Sequence, residues 1–431
     1  MRRPGFRRAL VFAVNVGVFC VVAELLALGI FYYEHGWLFY VDPYRPTIAR
    51  IEEGSGDALT AVGLHPYFGP THRPGIPFDL PAELRTSEAA DHVVATNNFG
   101  FPSRVNYPFS KTSDRQFIIG VFGGSVGAYF CRLGAARLEE VLRQTESFNN
   151  RELVTLCFSH EGYKQPQQLL VLNYFLSIGQ PFDLVINIDG FNEVALGRID
   201  DQYGWDISMP SYEHLDALIN VINQATLTPA KLESLARIVR YRQQLNDLAE
   251  RSNRARFASV EFALRHYHDV VRRRYEQERV RFDGLPSNPP ANSPIHVTPK
   301  VRPRTGSAVY EDIAANWRNA SMLMQQVLAA RGIAYVHVLQ PNQYYSTRAF
   351  TTAEKATAFN AGSPFKEGAA NGYPFLEKAL EPGALNAVHI FDTVRESVYV
   401  DDCCHYTSIA NRLLADVIAK AVLADPRAAT H

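Results

Sequence analysis

Three features of the sequence predict an α/β fold built on a parallel sheet of about five strands. Short apolar runs recur at 117–122, 152–159, 182–188, 333–339 and 387–392. A polar or glycine-rich turn follows each run, and the stretches between them carry apolar residues at helical spacing. Runs this continuous suit strands covered on both faces, and strand–helix alternation is the pattern of parallel pairing.

The chain has 431 residues, enough for one large domain or two ordinary ones with a substantial core. Its formal net charge of -1 gives no nucleic-acid footprint, and no internal repeat is visible. Residues 1–8 form a short tail carrying Arg2, Arg3, Arg7 and Arg8, and in 9–33 the one charge is Glu24. About 20 apolar residues span a bilayer core as a helix. The arginines ahead of the run place the N-terminus in the cytoplasm. The run exceeds a signal-peptide core of roughly 7–15 residues and lacks a small-x-small cleavage site. The sequence therefore predicts an uncleaved single-pass anchor in the inner (cytoplasmic) membrane, with the rest of the chain periplasmic. Glu24 in mid-span is costly, which points to a membrane partner facing it; a protonated carboxyl on a lone anchor is the alternative.

Residues 34–113 are rich in Pro, Gly and aromatics and read as a connector packing on the main domain, with an edge strand at 93–100. The first strand, 117–122, runs into Gly123-Gly124-Ser125-Val126-Gly127 and a helix over 128–144. A serine at a helix N-terminus meets unpaired N–H groups and a dipole that favours negative charge, a good setting for a nucleophile whose attack creates an oxyanion. A P-loop needs Gly-Lys-Ser/Thr after the glycines, which Val126-Gly127 is not. The G-x-S-x-G pattern of an α/β-hydrolase elbow also fits, as does a plain tight turn with a capping serine.

The second strand leads into His160-Glu161-Gly162-Tyr163, after which Pro166 opens a helix to about 178. The third ends in Asp189-Gly190-Phe191-Asn192-Glu193. Residues 200–304 interrupt the rhythm as a helical insertion or lid, helical at 215–224 and 229–282, with a proline-rich linker at 285–304. The alternation resumes with a helix at 307–331, the fourth strand leading into Gln340-Pro341-Asn342, a helix at 372–380 and the fifth strand. Asp401-Asp402-Cys403-Cys404-His405 and a helix at 408–423 follow.

Open α/β sheets gather their sites at the C-terminal ends of the strands, so these loops converge. They supply the parts of acyl transfer: Ser125 as nucleophile, His405 as base, Asp402 as the orienting acid and donors for an oxyanion. The neighbouring Asp401 is the alternative acid. Asn192 also suits a helix cap, and Gly162 a left-handed turn.

In these blocks and their order the sequence resembles the SGNH (GDSL-type) hydrolases. Gly123-Gly124-Ser125 stands at the nucleophile block, Gly162 at the glycine block, Gly190-Phe191-Asn192-Glu193 at the G-x-N-D block and Asp402-x-x-His405 at the D-x-x-H block. The resemblance implies a flavodoxin-like three-layer α/β/α sandwich over 114–199 and 305–425. It implies a Ser125–His405–Asp402 triad and an oxyanion hole from the backbone N–H of Ser125, that of Gly162 and the Asn192 amide. Glu193 stands where the family has Asp, and a Cys403-Cys404 pair separates acid from base. One of that pair is a candidate to bridge Cys131, with Cys157 a buried free thiol and His160 and His337 structural. The cysteine spacing is not that of a zinc site, and no metal or cofactor is expected.

The expected function is hydrolysis of an ester, an O-acyl and above all O-acetyl group on an exported or cell-envelope glycan. The alternatives are a polysaccharide O-acetyltransferase fed by a membrane acyl-donor partner, and a non-catalytic scaffold on the same fold.

Overall fold

A computed structural model describes residues 4–41, 48, 62–80, 84, 93–215, 227–286 and 301–429. The helix expected at 215–224 and most of the linker expected at 285–304 lie outside the described residues. The chain opens with α1 (Pro4–His35), followed by two antiparallel pairs, β1 (Val62–His65) with β2 (Gly69–His72) and β3 (Pro77–Asp79) with β4 (Val93–Ala95). Then come β5 (Gln116–Gly123), α2 (Ser125–Leu133), α3 (Ala135–Arg143), β6 (Glu152–Ser159), α4 (Gln167–Ser177), β7 (Leu184–Asp189) and α5 (Phe191–Gln202). Two long helices, α6 (Pro229–Asn253) and α7 (Ala258–Gly284), precede α8 (Ala308–Ala329), β8 (Ala334–Leu339), α9 (Thr352–Ala358), α10 (Lys366–Ala379), β9 (Leu385–Asn386) and α11 (Ser408–Ala424).

These elements form two compact units, Met1–Thr60 with Asn223–Pro294, and Ala61–Ile222 with Ile295–His431. In the first, Leu10–His35 is long and apolar enough to cross a membrane, with a mean hydropathy of 2.4. The block expected to be helical at 229–282 is a hairpin, whose two helices pack through Leu245, Leu248, Val271 and Tyr275. No side chain of its own caps α7. Glu24 of α1 does so instead, accepting from the backbone N–H of Ala258 (2.7 Å) and of Ser259 (3.0 Å) and from the Ser259 hydroxyl (2.5 Å). The Tyr40 hydroxyl donates to the same carboxylate. The first N–H groups of a helix need acceptors and its dipole favours an anion, which is the position the Glu24 carboxylate takes at α7.

The second unit is an α/β fold with a five-stranded parallel sheet in the order β6-β5-β7-β8-β9. Every residue of β5, β7 and β8 is buried. Alternate residues of β5 serve opposite faces. Phe117, Ile119 and Val121 pack with Phe130 and Leu138 of α2 and α3 and with Leu414 and Ile418 of α11. Ile118 and Phe122 pack with Phe175 of α4 and Met324 of α8. The sheet is therefore sandwiched between two helical layers. Because β5 pairs with β6 on one side and β7 on the other, successive crossovers run in opposite directions from β5, and the crevice opens at its C-terminal end.

Several expected elements differ in detail. The helix expected at 128–144 breaks at Gly134, which separates α2 from α3. Residues 93–95 pair with Pro77–Asp79 in a separate two-stranded sheet and do not edge the main one. The fifth strand is two residues long, Leu385–Asn386, and the stretch expected at 387–392 turns away. Its partner β8 ends at Leu339, and Pro341 just beyond has no N–H with which to extend the ladder.

The cysteine pairing is also different. Cys131 is bonded to Cys157, with Cα atoms 6.0 Å apart, and neither Cys403 nor Cys404 takes part. β5 holds Cys157 opposite Val121, and α2, which starts directly beyond β5, packs back over β6. That packing brings Cys131 above Cys157, so Cys157 is not a free thiol. The bond staples α2, which begins at Ser125, to the adjacent strand β6.

Candidate active site

Ser125 is the first residue of α2, at the C-terminal end of β5, and is 7% exposed. His405 reaches it from the far end of the chain, its Nε2 2.7 Å from Ser125 Oγ. The other ring nitrogen, Nδ1, is hydrogen-bonded to Oδ2 of Asp401. Asp402, the acid expected from the spacing, does not make this bond. Its backbone carbonyl accepts from the Tyr344 hydroxyl at 2.7 Å.

The reason lies in the local backbone. Residues 399–406 form a hairpin closed by the Val400 N–H to His405 carbonyl bond (3.1 Å) and a Tyr399–Tyr406 bridge. At its tip Asp401 Oδ1 accepts from the N–H groups of Cys403 (3.0 Å), Cys404 (3.0 Å) and His405 (3.3 Å). This is the turn that an Asx side chain makes with backbone two residues ahead, and it aims Oδ2 at His405. Burial acts to raise the Asp401 carboxyl, but the hydrogen bond and charge of His405 and the backbone N–H groups outweigh it and hold the group below its ordinary range. The edge of His405 is met by Tyr129, ring centroids 4.7 Å apart.

Gly162 and Asn192 come to the same edge of the sheet. Gly162 is the third residue of a turn in which the Tyr163 N–H donates to the His160 carbonyl, and its φ of +74° favours glycine. A Cβ there would also lie 2.4 Å from the His214 ring. Asn192, in the first turn of α5, donates from Nδ2 to the Tyr163 carbonyl at 2.8 Å. Its amide lies so close to the nucleophile turn that a Cβ on Gly124 would be 2.2 Å from Nδ2. That close approach accounts for the second glycine of Gly123-Gly124-Ser125.

No family model and no curated protein matches this chain. A solved structure similar to it is the lipase Lip_vut3 from a goat rumen metagenome, with 10% sequence identity, 71% of this chain and 97% of that chain covered, and a TM-score of 0.33.

Glu193 accounts for the capping at α5 that Asn192 was also suited to provide. Its Oε2 accepts from the Gly190 N–H at 2.7 Å and its Oε1 from the Gln165 N–H at 2.9 Å, tying together the loops that carry Asn192 and Gly162. Burial, with the charge of Asp189 adding to it, raises the Glu193 carboxyl to about 7. Below these loops His337 bridges Asp189 (2.8 Å) and Glu381 (2.7 Å). Burial acts to lower its pKa, yet the two carboxylates raise it to about 10, so it stays an imidazolium.

Sequence reasoning gave no role to the turn after β8. Asn342 Nδ2 donates to the Cys403 carbonyl (3.1 Å), Gln343 Nε2 to the Asp401 carbonyl (3.1 Å) and Tyr344 to that of Asp402. Three consecutive side chains thus hold the loop that carries Asp401 and His405. The visible signal was the polar Gln340-Pro341-Asn342 turn at a buried strand's C-terminal end.

Proposed function

We propose that this chain is a serine-dependent ester hydrolase of the SGNH type. One observation carries the reading: Ser125 Oγ, His405 and the Asp401 carboxylate form a continuous hydrogen-bonded chain at the C-terminal edge of a parallel sheet. His405 takes the Ser125 proton as Oγ attacks an ester carbonyl, then gives a proton to the leaving alcohol. Asp401 fixes the tautomer with the proton on Nδ1 and stabilises the imidazolium as it forms. The Ser125 and Gly162 backbone N–H groups and the second hydrogen of the Asn192 amide are the donors offered to the oxyanion. Water then releases the acyl group by the reverse sequence.

In this reading the substrate is an O-acyl, above all O-acetyl, group on an exported or cell-envelope glycan. The arginine-flanked apolar helix supports a membrane-anchored chain with its hydrolase unit in the periplasm. The Cys131–Cys157 bond supports an oxidising compartment. The test measures acetate release from p-nitrophenyl acetate and from an O-acetylated polysaccharide by the wild type and Ser125→Ala. Release from both, lost in the variant, is the expected result. Acetyl appearing on an added glycan acceptor, with no free acetate, makes the enzyme a transferase instead.

A further inference from the structure

Beside the turn that carries Gly162 lies a cluster for which the proposed hydrolysis has no use. His72, the last residue of β2, faces His160 and Glu161, which follow β6. His72 Nε2 and Glu161 Oε2 are 2.9 Å apart, and the two imidazole rings lie with centroids 4.3 Å apart. His160 is 2% exposed. Its Nδ1 is 2.9 Å from the Glu161 carbonyl, an acceptor, so Nδ1 carries the proton and Nε2 presents a lone pair. That buried Nε2 has no hydrogen-bond partner, and neither does the buried Nδ1 of His72. Orphaned polar atoms of this kind are rare in a native interior.

We propose that His72, His160 and Glu161 form a site for a divalent metal ion of the zinc class. Each residue offers one ligand atom, and the three atoms lie within 4.8 Å of one another. Zinc takes imidazole nitrogen at about 2.0–2.1 Å, which puts tetrahedral ligands about 3.3 Å apart. The three ligand atoms are thus already gathered within about 1.5 Å of the spacing a bound ion would impose. The donor set, two imidazoles and a carboxylate, is one that zinc accepts with a fourth position open. A bound ion would tie β2 to the His160–Tyr163 turn, and with it fix the Gly162 N–H.

The test uses the full chain in detergent, stripped with a chelator and titrated with Co²⁺ and Zn²⁺. The expected result is one equivalent of Co²⁺ with visible d–d bands and no thiolate charge-transfer band, and a melting temperature raised by Zn²⁺. His72→Ala and Glu161→Gln should each weaken binding at least about tenfold, and a Cys403→Ser variant should not. Glu161→Gln retains the shape of the turn, so its loss of binding is separable from misfolding. The absence of stoichiometric binding overturns the proposal. So does binding that survives both variants, or a thiolate band abolished by Cys403→Ser, which would move the ion to the Cys403–Cys404–His405 group.

Discussion

Replacing Asp401 by Asn separates the proposed Ser125–His405–Asp401 triad from one that uses Asp402. In Asp401→Asn the side-chain oxygen keeps the three N–H groups of Cys403, Cys404 and His405, so the hairpin tip retains its shape. The new amide nitrogen then faces His405 Nδ1 and donates to it. That forces the imidazole proton onto Nε2, which now donates to Ser125 Oγ and can no longer accept its proton. A wrong tautomer of this kind costs about 10⁴ in kcat, or about 5.5 kcal/mol of transition-state stabilisation. Asp402→Asn, which keeps the backbone carbonyl that Tyr344 engages, should change kcat by less than about threefold, a difference of roughly 0.6 kcal/mol. Both variants are assayed on p-nitrophenyl acetate, with circular dichroism and a melting curve to show that each is folded. Loss of activity in Asp402→Asn with retention in Asp401→Asn would refute the reasoning.

Three further outcomes are expected. Asn192→Ala removes the amide proposed as an oxyanion donor together with its bond to the Tyr163 carbonyl, and kcat should fall about 10²–10³-fold with a smaller change in KM. Thiol titration of the denatured, unreduced protein should find Cys20, Cys403 and Cys404 free, and a Cys131→Ser/Cys157→Ser variant should lose about 3–4 kcal/mol in chemical denaturation, the value for closing a loop of 26 residues. Glu193 has its ordinary value of 4.5 raised to about 7 in the folded state, so the native protein binds more protons than the unfolded chain between those limits. Stability should therefore fall as pH rises from about 4.5 to about 7, and Glu193→Gln should flatten that slope.

The parallel sheet was legible because its inner strands are buried on both faces, which leaves unbroken apolar runs, and because helical stretches alternate with them. Ser125, Gly162 and Asn192 were legible as candidates for a related reason: each stands in the first turn after such a run, whereas His405 stood out by its place in the D-x-x-H block before the last helix. The acid was not. Counting back three residues from His405 gives Asp402, whereas the turn made by Asp401 Oδ1 with three N–H groups is what decides which carboxylate faces the imidazole. The Cys131–Cys157 bond depends on how α2 crosses β6, a tertiary relation that local pattern does not encode. β1 to β4 are strands of three or four residues with Gly, Pro and His among them, and their pairing comes from contact rather than propensity. The bonds of Glu24 to the N-terminus of α7 join residues more than two hundred apart in sequence, a relation that local pattern does not encode.

The central claim is that Ser125 is an activated nucleophile, and labelling with a fluorophosphonate tests it most directly. The wild type, Ser125→Ala and His405→Ala are treated alike, and the modified peptide is mapped by mass spectrometry. Stoichiometric label on Ser125 in the wild type, none in Ser125→Ala and a labelling rate lowered by orders of magnitude in His405→Ala is the result predicted. A folded wild type that takes up no label, or takes it up at another residue, contradicts the account.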